Sequence, residues 1–301
     1  MRTTAMNCAR TAAIAVSLLM LAGCGGAASS SAPATASAAP AATVPATPTG
    51  APTPDISHPV GVIAIGHSAL TGEGTAGAGA PNLEASWATG TLDTVNSLYL
   101  RLTKVRPETE GHVANKAFGG APTSSLVSQA KAALGVVPVP ALAIIDTIDN
   151  DIQCSGSNVD AVTASIVKVL ALIHDASPNT KILVVDQPGR PSVDFVKELV
   201  AQIPSMKAQL TWDDDCTFFD AAGKLHPAGF AKLSAVIDRY ESEQFRVCAL
   251  VPNCYDDDGV RRAYVDVVDN LAPPDYSHFN AVGQAAQAAL LWPVVEQILG
   301  L

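Results

Sequence analysis

Val60-Gly61-Val62-Ile63-Ala64-Ile65-Gly66-His67-Ser68 is a short apolar run that stops at a glycine turn and delivers a serine. Unbroken apolar residues over so few positions describe a strand buried on both faces, the kind a parallel sheet contains. Residues 141–148 and 181–186 repeat the pattern, the second halted by Pro188. His112-Val113-Ala114 is a shorter strand candidate, and 216–220 is another. Between them the apolar spacing becomes helical, over 92–105, 123–134, 158–174, 192–203, 228–244, 260–271 and 281–299. Thr123 and Asn280 stand where helix caps belong. Strands alternating with helices predict an α/β fold over residues 58–301: a three-layer α/β/α sandwich around a mostly parallel sheet.

The 301-residue chain is 48% hydrophobic, enough for one sizeable core. Its first 23 residues carry Arg2 and Arg10 ahead of an apolar stretch, 11–22. That stretch is too short to span a bilayer stably and reads as an export signal. Without it the chain keeps 16 basic and 28 acidic residues, a net charge of −12. Such acidity with no basic cluster argues against nucleic acid and against electrostatic docking on anionic lipid. Residues 24–57, almost wholly Ala, Ser, Pro, Thr and Gly, predict a disordered linker. At the junction, Leu21-Ala22-Gly23-Cys24 resembles the lipobox of bacterial lipoproteins. That resemblance implies a diacylated Cys24 as the mature N-terminus, anchoring an extracytoplasmic domain to the membrane.

Setting aside Cys8 and Cys24, four cysteines remain, Cys154, Cys216, Cys248 and Cys254. An even number in an exported chain predicts two disulfides. Of three possible pairings, the local loop favours Cys248–Cys254, which leaves Cys154–Cys216. Their spacings fit no usual zinc pattern.

Near the end, Pro274-Asp275-Tyr276-Ser277-His278 places a carboxylate three residues before an imidazole. One turn can thereby supply a base and the acid that orients it, and Ser68 is the matching nucleophile. Asn150, in Ile148-Asp149-Asn150-Asp151, can aim an amide N–H at a developing oxyanion, and Gly120 can offer a bare backbone N–H. Ser68, Asn115, Gly120 and Asn150 all follow strands, at the edge where open α/β sheets bind ligands. Each has an ordinary alternative. Gly-x-Ser is common in turns, Asn150-Asp151 makes a simple turn, and Asp275 can cap the last helix, although Asn280 serves that purpose equally well.

Together these blocks resemble the SGNH hydrolases, the GDSL esterase/lipase family. Ser68 stands in its first block, Gly120 in the second, Asn150 in the third, and Asp275 with His278 in the last. The resemblance implies a flavodoxin-like sandwich that hydrolyses carboxylic esters of lipids, small acyl groups or acylated glycans. Catalysis would run through Ser68, His278 and Asp275, with an oxyanion hole from Ser68, Gly120 and Asn150, and with no cofactor and no metal. Two positions depart from the family pattern: His67 replaces an aspartate, and Ile148 replaces a glycine. His67 is read as orienting the Ser68 loop. Residues 242–273 exceed what a minimal domain needs and, with Cys248 and Cys254, are expected to cap the acyl pocket. The acidic runs 213–215 and 256–258 lack the alternation of a calcium loop and are read as solvated. His58, His112, His174 and His226 show no ligand spacing, and Trp87 and Trp212 read as core. Rival functions are a cell-envelope glycan O-acetyl esterase, an acyltransferase, and a non-catalytic lipoprotein that binds glycan or lipid.

Overall fold

Alternation within three strands sorts the molecule into layers. The computed structural model describes residue 55 and residues 57–301, apart from 78 and 274. The stretch expected as an export signal, Cys24 and nearly all of the expected linker lie outside the described residues. In chain order come β1 (Val62–Gly66), α1 (Leu98–Val105), β2 (Val113–Asn115), α2 (Leu126–Leu134), β3 (Leu142–Asp146) and α3 (Val159–Ala176). Then follow β4 (Lys181–Val184), α4 (Val193–Gln202), α5 (Met206–Gln209), α6 (Pro227–Cys248), β5 (Cys254–Asp256) and α7 (Ala281–Leu299). The five strands form one parallel sheet in the order β2-β1-β3-β4-β5.

Ile63, Ile65, Ala143, Ile145, Ile182 and Val184 face one core, packed under α2, α3 and α6. Their neighbours Val62, Ala64, Leu142, Ile144 and Leu183 face the other, under α1 and α7. Side chains on a strand alternate between faces, so a run that is apolar at every position needs cover on both sides. The chain is therefore a three-layer α/β/α sandwich. Its order reverses between β1 and β3, which opens a crevice at the carboxyl ends of those two strands.

Three expectations are corrected. Residues 216–220 form no strand; Phe219 makes only an isolated antiparallel bridge to Leu225. Phe218 and Phe219 instead build a satellite core with Val196 and Phe230, where no sheet edge is offered. The place beside β4 goes to β5, three residues with mostly exposed side chains, whose pattern carries no apolar run to read. Residues 260–271 form turns and one short 3-10 segment, Val268–Asn270, rather than a helix. Thr123 does not cap a helix: its N–H and hydroxyl both donate to Asp151 Oδ2, at 2.6 and 2.5 Å.

Residues 242–273, expected as a cap, contribute Asp266 and Leu271 to the lining of the cavity beside Ser68. They finish α6, cross the Cys248–Cys254 disulfide into β5, and then thread Arg261 into the interior. The second disulfide joins Cys154 to Cys216, and Asp214 beside it completes no metal set because both thiols are consumed. The acidic run 256–258 is not wholly solvated either, since Asp257 is fully buried.

Candidate active site

Ser68 opens a short 3-10 turn directly after β1 and is 8% exposed. The turn depends on Gly66, whose φ is 146° and where a Cβ would meet the Asp146 carbonyl oxygen at 1.8 Å. Only glycine lets β1 leave the sheet this close to β3. The Gln129 amide from α2 grips the same residue, accepting from Gly66 N at 2.6 Å and donating to Gly66 O at 3.1 Å. Asn115 ties down the following loop, donating to Leu70 O and Thr89 Oγ1 at 2.8 Å each. It is thus turned toward the loop's own atoms.

The second part is the loop ahead of α7. Leu271 and Phe279 bridge its ends, and Asn280 caps the helix through Val282 N and Gly283 N. That leaves Asp275 free of the helix. Its Oδ1 accepts from Ser277 N at 2.9 Å and from His278 N at 3.3 Å, and its Oδ2 lies 3.0 Å from His278 Nδ1. On the far side of the ring, His278 Nε2 stands 2.8 Å from Ser68 Oγ, across 210 positions of sequence. Burial opposes ionisation of Asp275, but the Ser277 N–H and the His278 ring outweigh it and hold its pKa below the usual carboxylate range. An ionised Asp275 fixes the Nδ1–H tautomer and leaves Nε2 to accept the Ser68 proton.

Gly120 and Asn150 line the same cavity as Ser68 and His278. Among the described residues, neither Ser68 N–H nor Gly120 N–H donates to a protein group. Asn150 Nδ2 donates to Ala121 O at 3.2 Å, at the outer limit of a good bond. Asp151 holds the Asn150 turn through Thr123. Just before the turn, Ile148 is buried at φ 72°. A β-branched residue there carries roughly 1–2 kcal/mol of strain, concentrated two residues from Asn150.

Several site residues were not singled out in the sequence. Glu73 lines the cavity, with Oε1 3.9 Å from His278 Nε2, on a loop that Gly74 lets pack against Ala272 and His278. Behind Ser68 lies a buried ionic row. His67 Nδ1 accepts from Ala69 N at 3.4 Å, and its Nε2 lies 3.4 Å from Asp146 Oδ1. Asp146 Oδ2 accepts from Arg261 Nη1 at 2.9 Å. Arg261, fully buried, also donates to Asp186 O and Gln287 Oε1 and stacks over Trp87. Burial favours neutral groups here, yet Asp146 overrides it and raises the His67 pKa, while Arg261 and His67 hold Asp146 low. A signal was available, because Asp146 puts a charge at the end of an otherwise apolar strand.

The remaining polar candidates lie elsewhere. His58 is exposed beside Asp55, His226 precedes α6, and Asp213, Asp214 and Asp215 are exposed. Trp87 is core, and Trp212 is half-buried against Phe218.

No family model matches the chain, and no curated protein matches it in sequence. Among solved structures it is similar to an extracellular lipase from Streptomyces rimosus, at 16% identity over 79% of this chain and 99% of that one, with a TM-score of 0.49. It is similar to phospholipase A1 from Streptomyces albidoflavus at 14% identity, over 80% and 99%, with a TM-score of 0.49. A family two carbohydrate esterase from Cellvibrio japonicus is similar at 14% identity, over 83% and 64%, with a TM-score of 0.44. These likenesses assign no activity to this chain.

Proposed function

We propose that this chain is an SGNH-type serine esterase that cleaves carboxylic esters through an acyl-Ser68 intermediate. The observation that carries the reading is the continuous hydrogen-bonded row from Asp275 Oδ2 through both nitrogens of His278 to Ser68 Oγ. Ser68 Oγ attacks the acyl carbon while its proton passes to His278 Nε2. The carbonyl π pair moves onto oxygen, where Ser68 N–H, Gly120 N–H and the Asn150 amide stabilise the charge. The C–O bond to the alcohol then breaks, and the alcohol leaves with the proton from Nε2. Water repeats the sequence on the acyl-serine, giving its proton to Nε2, and Ser68 recovers it as the acid departs. Asp275 stays ionised throughout and supports the imidazolium.

Export and anchoring belong to the same reading. Two disulfides suit an oxidising compartment, and Cys24 would carry the lipid that tethers the domain outside the cytoplasm. Incorporation of labelled palmitate into the wild-type chain, and its loss in Cys24→Ser, is the expected result.

Hydrolysis of p-nitrophenyl esters tests the activity. The wild-type chain turns them over and Ser68→Ala does not, with the same circular dichroism. Equal turnover by both would remove Ser68 from the mechanism. No turnover by either folded chain would favour the non-catalytic binding protein.

A further inference from the structure

The cavity at Ser68 extends well beyond the reacting groups. It measures about 580 Å³, in the middle of the range for small-molecule sites. Polar groups come from loops, at the strand ends and ahead of α7. Much of the apolar wall comes from Phe195, Val196 and Leu199 on α4, from Phe218, and from Leu233 and Ile237 on α6, with Leu271 and Phe279 added by the loop ahead of α7. Val196, Leu199, Phe218 and Ile237 are each less than a tenth exposed, so this wall is firmly backed by the core behind it.

An acetyl group would leave most of this space empty or wet. At ~30 Å³ per water-sized unit, the cavity holds on the order of twenty such units, and a methyl fills about one. Keeping about half for the ester, the alcohol and the attacking water leaves room for a chain of about ten carbons. In the lining, Arg190 is already committed to Asp238 and Glu241 and His67 faces Asp146, so neither offers a site for an anionic acyl end. Glu73 and Asp266, also in the lining, would repel one. Phe118, Val265 and Val267, each next in sequence to a lining residue, are exposed, as suits an amphiphilic ester.

We infer that this space is an acyl-chain site and that the physiological ester carries a medium-length, uncharged acyl chain of about ten carbons rather than acetyl. The inference rests on the esterase reading above and narrows its substrate. It makes the α4–α6 region, together with Leu271, the specificity element.

The test measures kcat/KM for p-nitrophenyl esters from acetate to laurate, below their micellar concentrations, with the full chain and with Leu233→Trp and Val196→Phe. In the wild type, kcat/KM rises about fourfold per methylene, the worth of burying one CH2, up to about ten carbons. Either substitution fills the space and lowers the decanoate-to-acetate ratio by about tenfold or more. Two variants are used because one can fail to fold. A series that falls from acetate onward, or a ratio unmoved in a folded variant, overturns the inference. Labelling of Ser68 by a fluorophosphonate in the same preparations separates the two readings. Labelled enzyme that prefers acetate refutes only the chain-length inference, whereas folded enzyme that neither labels nor turns over any ester refutes both.

Discussion

Two histidine–carboxylate pairs meet near Ser68, and they are built for opposite purposes. His278 and Asp275 sit on a loop, with side chains 20% and 33% exposed, 3.0 Å apart and continuous with Ser68. His67 and Asp146 are buried behind the serine turn, 3.4 Å apart, with Asp146 pinned by Arg261. The outer pair has its ring nitrogens engaged on both sides. Among the described residues, the inner row leaves His67 Nε2, Asp146 Oδ1 and Arg261 Nη2 without a hydrogen-bond partner. Residue types alone do not distinguish a proton carrier from a fixed charge. Access, and a nucleophile on the free nitrogen, do.

The sharpest way to break the comparison is at the nucleophile. Ser68→Ala is expected to lower ester turnover by about a millionfold, with the melting temperature essentially unchanged. Asp275→Asn leaves the loop in place but favours the wrong tautomer, and should cost about 10⁴ in kcat. The inner row responds in stability instead. Arg261→Met strands the buried Asp146 and should cost about 3–5 kcal/mol in urea unfolding, whereas loss of activity in a variant of undiminished stability would reverse the assignment of the two pairs. Asn150→Ala, which removes one oxyanion donor, should lower kcat by about 10²–10³, with KM moving much less.

The smallest effect concerns pH. Burial pushes Glu241 up to about 7, with Asp186 adding to the rise, and Asp257 goes to about 7 for the same reasons. In the unfolded chain both ionise near the ordinary carboxylate range, so between about pH 4 and 7 the native state holds the extra protons. Their stabilisation is therefore complete at low pH and is lost as pH rises through 7. Asp146 and Asp275, held low in the fold, act the other way, and their contribution disappears as pH falls through their lowered pKa values. Glu241→Gln should flatten the loss of stability between about pH 5 and 7.5 by roughly 1 kcal/mol, as read from urea midpoints.

The sheet was legible where burial on both faces wrote itself as unbroken apolar runs, as in 62–66 and 142–146. It was illegible at β5, an edge strand whose Tyr255 and Asp256 face solvent and leave no pattern. The reading of 216–220 failed because apolar residues in a satellite core look the same as a strand. The Asp275–His278 spacing could be read because both lie on one turn. Arg261 could not, since a cation in a helix-like stretch looks solvated until its partner, 115 positions away, is known. Glu73 escaped for the same reason, as nothing near it in sequence announces His278.

The most direct test of the account is the mass of the intact chain after exposure to a fluorophosphonate, with Ser68→Ala and His278→Ala alongside. The account predicts one adduct, on Ser68, absent from Ser68→Ala and strongly slowed in His278→Ala. A folded wild-type chain that gains no mass, or an adduct that persists in Ser68→Ala, would contradict it.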